Sequence, residues 1–221
     1  MPDIYDDQPF QTTRFVVIDF EALTPAGRPH VPIEVAAITL GYQAGRLVEL
    51  DRFASLIQPP ADVPVTRFDT AQTGLTRATL AGARPAAAVM ADLDAQLTRP
   101  PYRLVAHHAA TEANLIAGQR THCPRLAATS LLDTMAMGRL AYPELASHRL
   151  DALLWRLKIS QPPDRHRALA DTEVTAAAFH HMLVDGTATG CWSRLHDLDR
   201  HAGRPPATPR PTATANHDTL F

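Results

Sequence analysis

Carboxylate and histidine side chains recur in this chain at spacings that suit metal-assisted hydrolysis. Asp19 and Glu21 stand two residues apart at the end of Phe15-Val16-Val17-Ile18-Asp19-Phe20-Glu21. The run is rich in Val and Ile and has no helical period, so it reads as a buried strand. Residues i and i+2 of a strand share a face, which would bring the two carboxylates out together. Like charges that close call for a neighbouring cation or for raised pKa values. Hard oxygen ligands of this kind suit Mg²⁺ or Mn²⁺. The plain alternative is a strand running out into a solvated turn.

Two further clusters follow in order, with a weaker pair between them. His107-His108-Ala109-Ala110-Thr111-Glu112 follows the apolar strand end Val105-Ala106, with Glu112 early in a helix. Asp133-Thr134 is the weaker pair. His166 then stands five residues before Asp171, at the start of a long helical pattern. Each has an ordinary explanation. Glu112 could complement a helix dipole, Asp171 could lie on a solvated helix face, and His166 could sit in a loop. Their joint order along one chain is what points to a site.

The elements that must position these groups are legible in outline. Residues 1–13 are polar and read as loose. Strands are expected at residues 15–21, 33–40 and about 47–57, an antiparallel meander turning through Gly41 to Gly45. Gln58-Pro59-Pro60 ends it, and residues 66–82 read as irregular. Pro85 opens a helix carrying Ala88, Met90, Leu93 and Leu97, and Pro100-Pro101 stops it. Tyr102–Ala106 reads as a short buried strand, residues 110–116 as helix, and residues 130–134 as a strand end leading into a helix. Ser147 is expected to cap a helix with Leu150, Leu153, Leu154 and Leu157 inward. A long helix over 168–184 buries Leu169, Val174, Ala178 and Met182. A last amphipathic helix covers 192–201. Trp155 and Trp192 read as packing residues. The expected organisation is a polar segment 1–13, a catalytic-type domain 14–186, a helix 187–202 and a Pro/Ala/Thr-rich tether 203–221.

Composition bounds the rest. The chain has 221 residues, 45% hydrophobic and 20% charged, with formal net charge −2. That charge argues against a high-affinity duplex binder, but not against an enzyme gripping a few nucleotides through metals. No apolar run reaches the ~18 residues of a membrane span. The acidic start lacks a basic-then-apolar leader, and Cys123 and Cys191 lack metal spacing, so a reducing cytoplasm is expected.

Asp-x-Glu on a first strand, His-x-Ala-x-x-acid mid-chain and His-x-Ala-x-x-Asp on a late helix resemble the DEDDh 3′–5′ exonucleases. The chain is similar in appearance to the proofreading epsilon subunit of bacterial DNA polymerase III. The resemblance spans about residues 14–185. It also covers Thr73-Gly74-Leu75-Thr76, Leu132-Asp133-Thr134 and Ser147-His148-Arg149-Leu150-Asp151. It implies an α/β, ribonuclease H-like fold with a mixed central sheet flanked by helices. It further implies that Asp19, Glu21, Glu112 and Asp171 hold two divalent cations, Mg²⁺ or Mn²⁺, and that His166 is the general base. Two metals about 3.5–4 Å apart clamp the attacking and leaving oxygens of a phosphodiester, and a histidine takes the water's proton near neutrality. The implied substrate is a DNA 3′ end, released as nucleoside 5′-monophosphates.

The chain departs from the family pattern in places. Glu112 stands where Asp is usual, one methylene further out, which favours Mn²⁺ over the geometrically demanding Mg²⁺. His108 stands where Asn is common. Phe20, Ala22 and Leu23 replace threonines that touch the terminal nucleotide, so the substrate-facing set becomes Phe20, Ala22, Leu23, His107 and His108. Phe20 or Leu23 could stack on the nucleotide, with core packing as the alternative for Phe20. Arg149, Arg156, Arg165 and Arg167 could contact phosphates or form a solvated face. The chain ends in His217-Asp218-Thr219-Leu220-Phe221, similar to the Gln-x-x-Leu-Phe peptides that hook a sliding clamp, with His217 in place of Gln. The competing readings are a short-RNA exonuclease and a non-catalytic nucleic-acid module on the same fold.

Overall fold

A computed structural model describes residues 3–163 and 165–208. Its centre is a seven-stranded mixed sheet of order β4-β3-β2-β1-β5-β6-β7. β1 (Arg14–Leu23), β2 (Val31–Gln43) and β3 (Arg46–Gln58) form the expected antiparallel meander. β5 (Tyr102–Ala106) runs parallel to β1, and β6 (Leu131–Asp133) runs parallel to β5. The edges are two short pairings, β4 (Arg84–Pro85) parallel to β3 and β7 (Gly203–Arg204) antiparallel to β6.

Strand alternation divides the core and places the site. Phe15 and Val17 of β1 face one hydrophobic cluster, with Ile38, Val105 and Leu132. Over them pack α7 (Thr134–Ala141), α8 (Leu150–Leu157), α9 (Ala168–Ala188) and α10 (Leu195–Ala202). Val16, Ile18 and Phe20 face the other cluster, under α4 (Ala86–Ala95), α5 (Ala110–Gly118) and α6 (Pro124–Ala127). Asp19 and Glu21 continue the Phe15/Val17 series, so the strand face that packs beneath α9 turns from apolar to acidic at its end. The sheet is therefore covered on both faces, as a ribonuclease H-like fold requires.

Several local expectations are corrected. The N-terminal segment is anchored: Ile4 and Phe10 are fully buried, in a 3₁₀ turn (Ile4–Asp6) and in α1 (Gln8–Thr12). Asp7 accepts from the Phe10 amide and from the distant Leu195 amide, so short polar residues here are caps rather than slack. Residues 66–82 contain two helices, α2 (Arg67–Thr73) and α3 (Arg77–Ala81). A Thr66/Asp69 capping box opens the first and Gly74, at φ 72°, closes it. Both are too short to show a period, and their caps were the readable signal. Ser147 is not an N-cap, because α8 begins three residues later, behind Arg149. Trp155 is 78% exposed and does not pack, whereas Trp192 is buried. The tether assignment fails at its start, since Gly203–Arg204 extends the sheet. No helix among the described residues is long and apolar enough to cross a membrane.

Candidate active site

The acids converge where the parallel strands β1, β5 and β6 end. Val17 pairs with Val105, and Ala106 pairs with Asp133, so Asp19, His107 and Asp133 lie along one carboxyl edge of the sheet. Open α/β sheets bind ligands at such edges because the following loops and helix N-termini open there. α9 contributes Asp171 in its first turn, and α5 contributes Glu112 in its first turn.

Glu21, His166 and Asp171 bring ligand atoms within 4.8 Å of one another. Glu21 and Asp171 are buried and His166 is exposed, so the trio opens to solvent on the histidine side. Burial first, then the charges of Asp171 and Glu34, pushes Glu21 up to about 7. Asp19 is held well above the usual carboxylate range by burial, then by Glu112, Glu21 and Asp171. Glu112 is 4% exposed, and its Oε2 finds no hydrogen-bond partner among the described residues. Burial raises its pKa to about 8, with Asp133 and Glu21 adding to the rise. An orphaned buried carboxylate oxygen costs ~1–3 kcal/mol or more, and a cation is the partner such an oxygen lacks. The donor set is therefore one that fits hard divalent cations.

His107 follows directly on β5. Its Nδ1 lies 3.0 Å from Thr134 Oγ1, and its buried Nε2 has no partner among the described residues. Burial lowers its pKa to about 4, so it stands neutral at physiological pH. His108 is exposed in a left-handed turn at φ 61°, bonded through Nδ1 to Thr111 Oγ1 at 3.0 Å. The apolar members of the substrate-facing set lie elsewhere. Phe20 and Ala22 pack on the opposite side of β1 from Asp19 and Glu21, and Leu23 packs with Ile33, Val63 and Leu80. Core packing accounts for Phe20 and Leu23: alternation turns Phe20 away from the acids, and Leu23 follows the register shift between Glu21 and Ala22.

Glu34 was not singled out in the sequence, Arg165 and Arg167 were read only as possible phosphate contacts, and Asp133 only as the weaker pair. Arg165 donates to Asp171 and, from Nη2 at 2.8 Å, to Asp151, placing a guanidinium against the acids. Arg167 donates to both oxygens of buried Glu34, with Nη2–Oε1 at 2.7 Å. Between them His166 is held at φ 66°, a left-handed conformation that costs a non-glycine residue about 1–2 kcal/mol. Asp133 caps α7 through the Met135 amide and receives Arg204 Nε at 3.2 Å. The readable trace of Glu34 was a lone acid inside Ile33-Glu34-Val35-Ala36. A hollow along Val31, Pro59, Val63, Leu80 and Pro85 is lined by no acid. The acids, not the size of the hollow, mark the site.

The comparisons agree with this geometry. Residues 16–179 match the exonuclease family of the RNase T type. A DNA polymerase III subunit epsilon-like protein of Rhodobacter capsulatus is 31% identical over 187 residues, 83% of this chain and 26% of that protein. A PolC-type DNA polymerase III of Bacillus subtilis is 29% identical over 210 residues, 94% of this chain and 14% of that protein. The chain thus spans about a quarter or less of these relatives' length. Among solved structures, the nuclease domain of 3′hExo, a DEDDh family member bound to rAMP, superposes with TM-score 0.67 at 20% identity, covering 82% of this chain and 96% of that one. Exonuclease X in complex with 5′-overhanging duplex DNA gives TM-score 0.59 at 23% identity, covering 84% and 98%. With a ribonuclease H-like sheet, acids converging at its carboxyl edge and a match to the exonuclease family over most of its length, this chain belongs to the DEDDh, DnaQ-like 3′–5′ exonucleases.

Proposed function

We propose that the chain is a metal-dependent 3′–5′ exonuclease that removes nucleoside 5′-monophosphates from single-stranded or frayed DNA 3′ ends. The observation that carries this reading is the convergence of Glu21, His166 and Asp171 within 4.8 Å, beside Asp19 and the orphaned Glu112 oxygen. Asp19, Glu21, Glu112 and Asp171 would hold two divalent cations, Mg²⁺ or Mn²⁺. When bound, the cations supply an activated water and neutralise charge on the leaving oxygen. His166, exposed at the rim, accepts the proton of the attacking water and passes it to solvent. Arg165 must leave Asp171 for a cation to take that position, and its guanidinium then stands near the nucleotide phosphate. His107 and His108 line the far side, against the sugar and base of the terminal nucleotide.

DNA is favoured by the relatives named as polymerase III proteins. The second reading, an RNA exonuclease, draws on solved neighbours, one of them described as recognising a histone mRNA stem-loop. We take residues 14–186 as the exonuclease domain and the cytoplasm as its setting. Asp218, Thr219, Leu220 and Phe221 lie outside the described residues. Their proposed role is docking to a sliding clamp, and deleting residues 219–221 should abolish any such binding.

The test is digestion of 5′-labelled single-stranded DNA and RNA with Mn²⁺ or Mg²⁺, beside EDTA, Asp19→Ala and His166→Ala controls. A ladder shortening from the 3′ end of DNA, lost in all three controls, supports the reading. Faster shortening of RNA moves it to the second. No cleavage by folded protein in either metal leaves a binding module.

A further inference from the structure

Glu34 is a buried acid that the proposed cation set does not use. It is 6% exposed on β2, directly across the β1–β2 ladder from Glu21. Two carboxylates facing each other across a ladder repel unless one is engaged elsewhere. Glu34 is engaged fully. Arg167 Nη2 donates to Oε1 at 2.7 Å, Arg167 Nε donates to Oε2 at 3.0 Å, and the Ala168 amide donates to Oε2 at 3.0 Å. Ala168 is the first residue of α9, whose own N-cap position, Arg167, makes no side-chain cap bond. The helix is therefore capped from across the sheet, by a charge of the sign that its N-terminus favours.

We propose that Glu34 is a positioning residue, its bonds to Arg167 and Ala168 fixing the turn that presents His166 and the helix start that carries Asp171. His166 occupies a left-handed conformation between two anchored arginines. Such a conformation persists only where its flanks are over-determined. The two flanks differ in kind. Arg165 is held partly by Asp171, a group the cations would claim, so that hold is exchangeable. Arg167 is held by Glu34, whose oxygens already have donors, so this hold outlasts cation binding. Glu34 thus sets where the proton acceptor stands without touching the reacting atoms. The kinetic part of this inference rests on the exonuclease reading, whereas its geometric part does not.

The test uses the full chain with Glu34→Ala, Glu34→Gln, Glu34→Asp, Arg167→Ala and the Glu34→Ala/Arg167→Ala double variant. In EDTA, amide hydrogen exchange at residues 166–171 should rise at least tenfold in Glu34→Ala, with exchange in β5 and α4 unchanged. With Mn²⁺, kcat on single-stranded DNA should fall at least tenfold, while KM and calorimetric Mn²⁺ affinity stay within threefold. The double variant should be no slower than the slower single one, and Glu34→Asp should recover part of the rate. Should Glu34→Ala fail to fold, Glu34→Gln, which keeps an acceptor for Ala168, carries the same readings. Unchanged local exchange, or Mn²⁺ affinity falling in step with kcat, would overturn the proposal. The second of those results would make Glu34 a cation ligand. Exchange rising uniformly across the sheet would also overturn it, leaving a general packing role. Local exchange rising in a protein with no nuclease activity would support the anchor and sink the exonuclease reading instead.

Discussion

The two halves of the acidic site keep their charge in opposite ways. On the β1/α9 side, arginines neutralise carboxylates: Arg165 holds Asp171 and Asp151, and Arg167 holds Glu34. On the β5/α5 side, burial raises Glu112 and holds His107 neutral. There protons do what guanidinium groups do on the other side. A divalent cation entering the site must therefore displace an arginine at Asp171 and protons at Glu112 and Glu21. That difference assigns separate measurements to the two halves.

The largest expected effect lies on the arginine-held side. His166→Ala should lower kcat by about 10²–10⁴-fold, the usual worth of a general base, read in single-turnover digestion at saturating metal. Retained activity would move proton transfer elsewhere and leave His166 as a ligand beside Glu21 and Asp171.

Next is the pH dependence of the carboxylates that burial raises, Glu112 on α5 and Glu21 on β1. Glu112 titrates at about 8 in the fold against an ordinary 4.5, and Glu21 at about 7 against 4.5. The native protein therefore binds more protons than the unfolded chain through that window, and metal-free stability falls as pH rises through it. His107, lowered from 6.5 to about 4, acts in the opposite direction, but only below pH 6.5. From pH 6.5 to 8 the carboxylates act alone, and the loss should be on the order of 2 kcal/mol by chemical denaturation in EDTA. Glu112→Gln should flatten the slope, and Mn²⁺ should reverse it with release of protons. A flat profile in the metal-free wild type would mean that Glu112 is charged and partnered.

Arg165→Met should raise Mn²⁺ affinity by about tenfold, because the cation no longer competes with a guanidinium for Asp171. The same variant should melt earlier in EDTA and gain a larger thermal shift on adding metal. Unchanged affinity would show that Arg165 and the cation occupy the site together. The smallest effect concerns reach. The wild type should prefer Mn²⁺ to Mg²⁺, and Glu112→Asp should narrow that preference. Equal rates of the wild type in both metals would remove this point.

What could be read in advance followed the range of the forces involved. Periodicity located β1, β5 and the long helix, because burial of apolar faces leaves a repeating mark. The capped short helices 67–73 and 77–81 left only cap residues as a trace, Thr66, Asp69 and Gly74 for the first and Thr76 for the second, and were read as irregular. Trp155 shows the limit of composition: an apolar type says nothing about whether a partner surface exists, and here the ring stands exposed. Phe20 shows the limit of proximity, since a neighbour in sequence on a strand points to the opposite face.

The local order of residues alone settled the identities of Asp19, Glu21, Glu112, His166 and Asp171 as candidates, because each motif lies within a few residues of chain. It also settled the meander, because alternation is local, whereas the sheet covered by helices came from the family resemblance. Only the tertiary structure decided that Glu34 faces Glu21 and caps α9 from 134 residues away, that Arg165 sits on Asp171, and that Glu112 Oε2 has no hydrogen-bond partner among the described residues. Those are pairings between distant segments. Electrostatic contact depends on distances in space, which no spacing along the chain encodes.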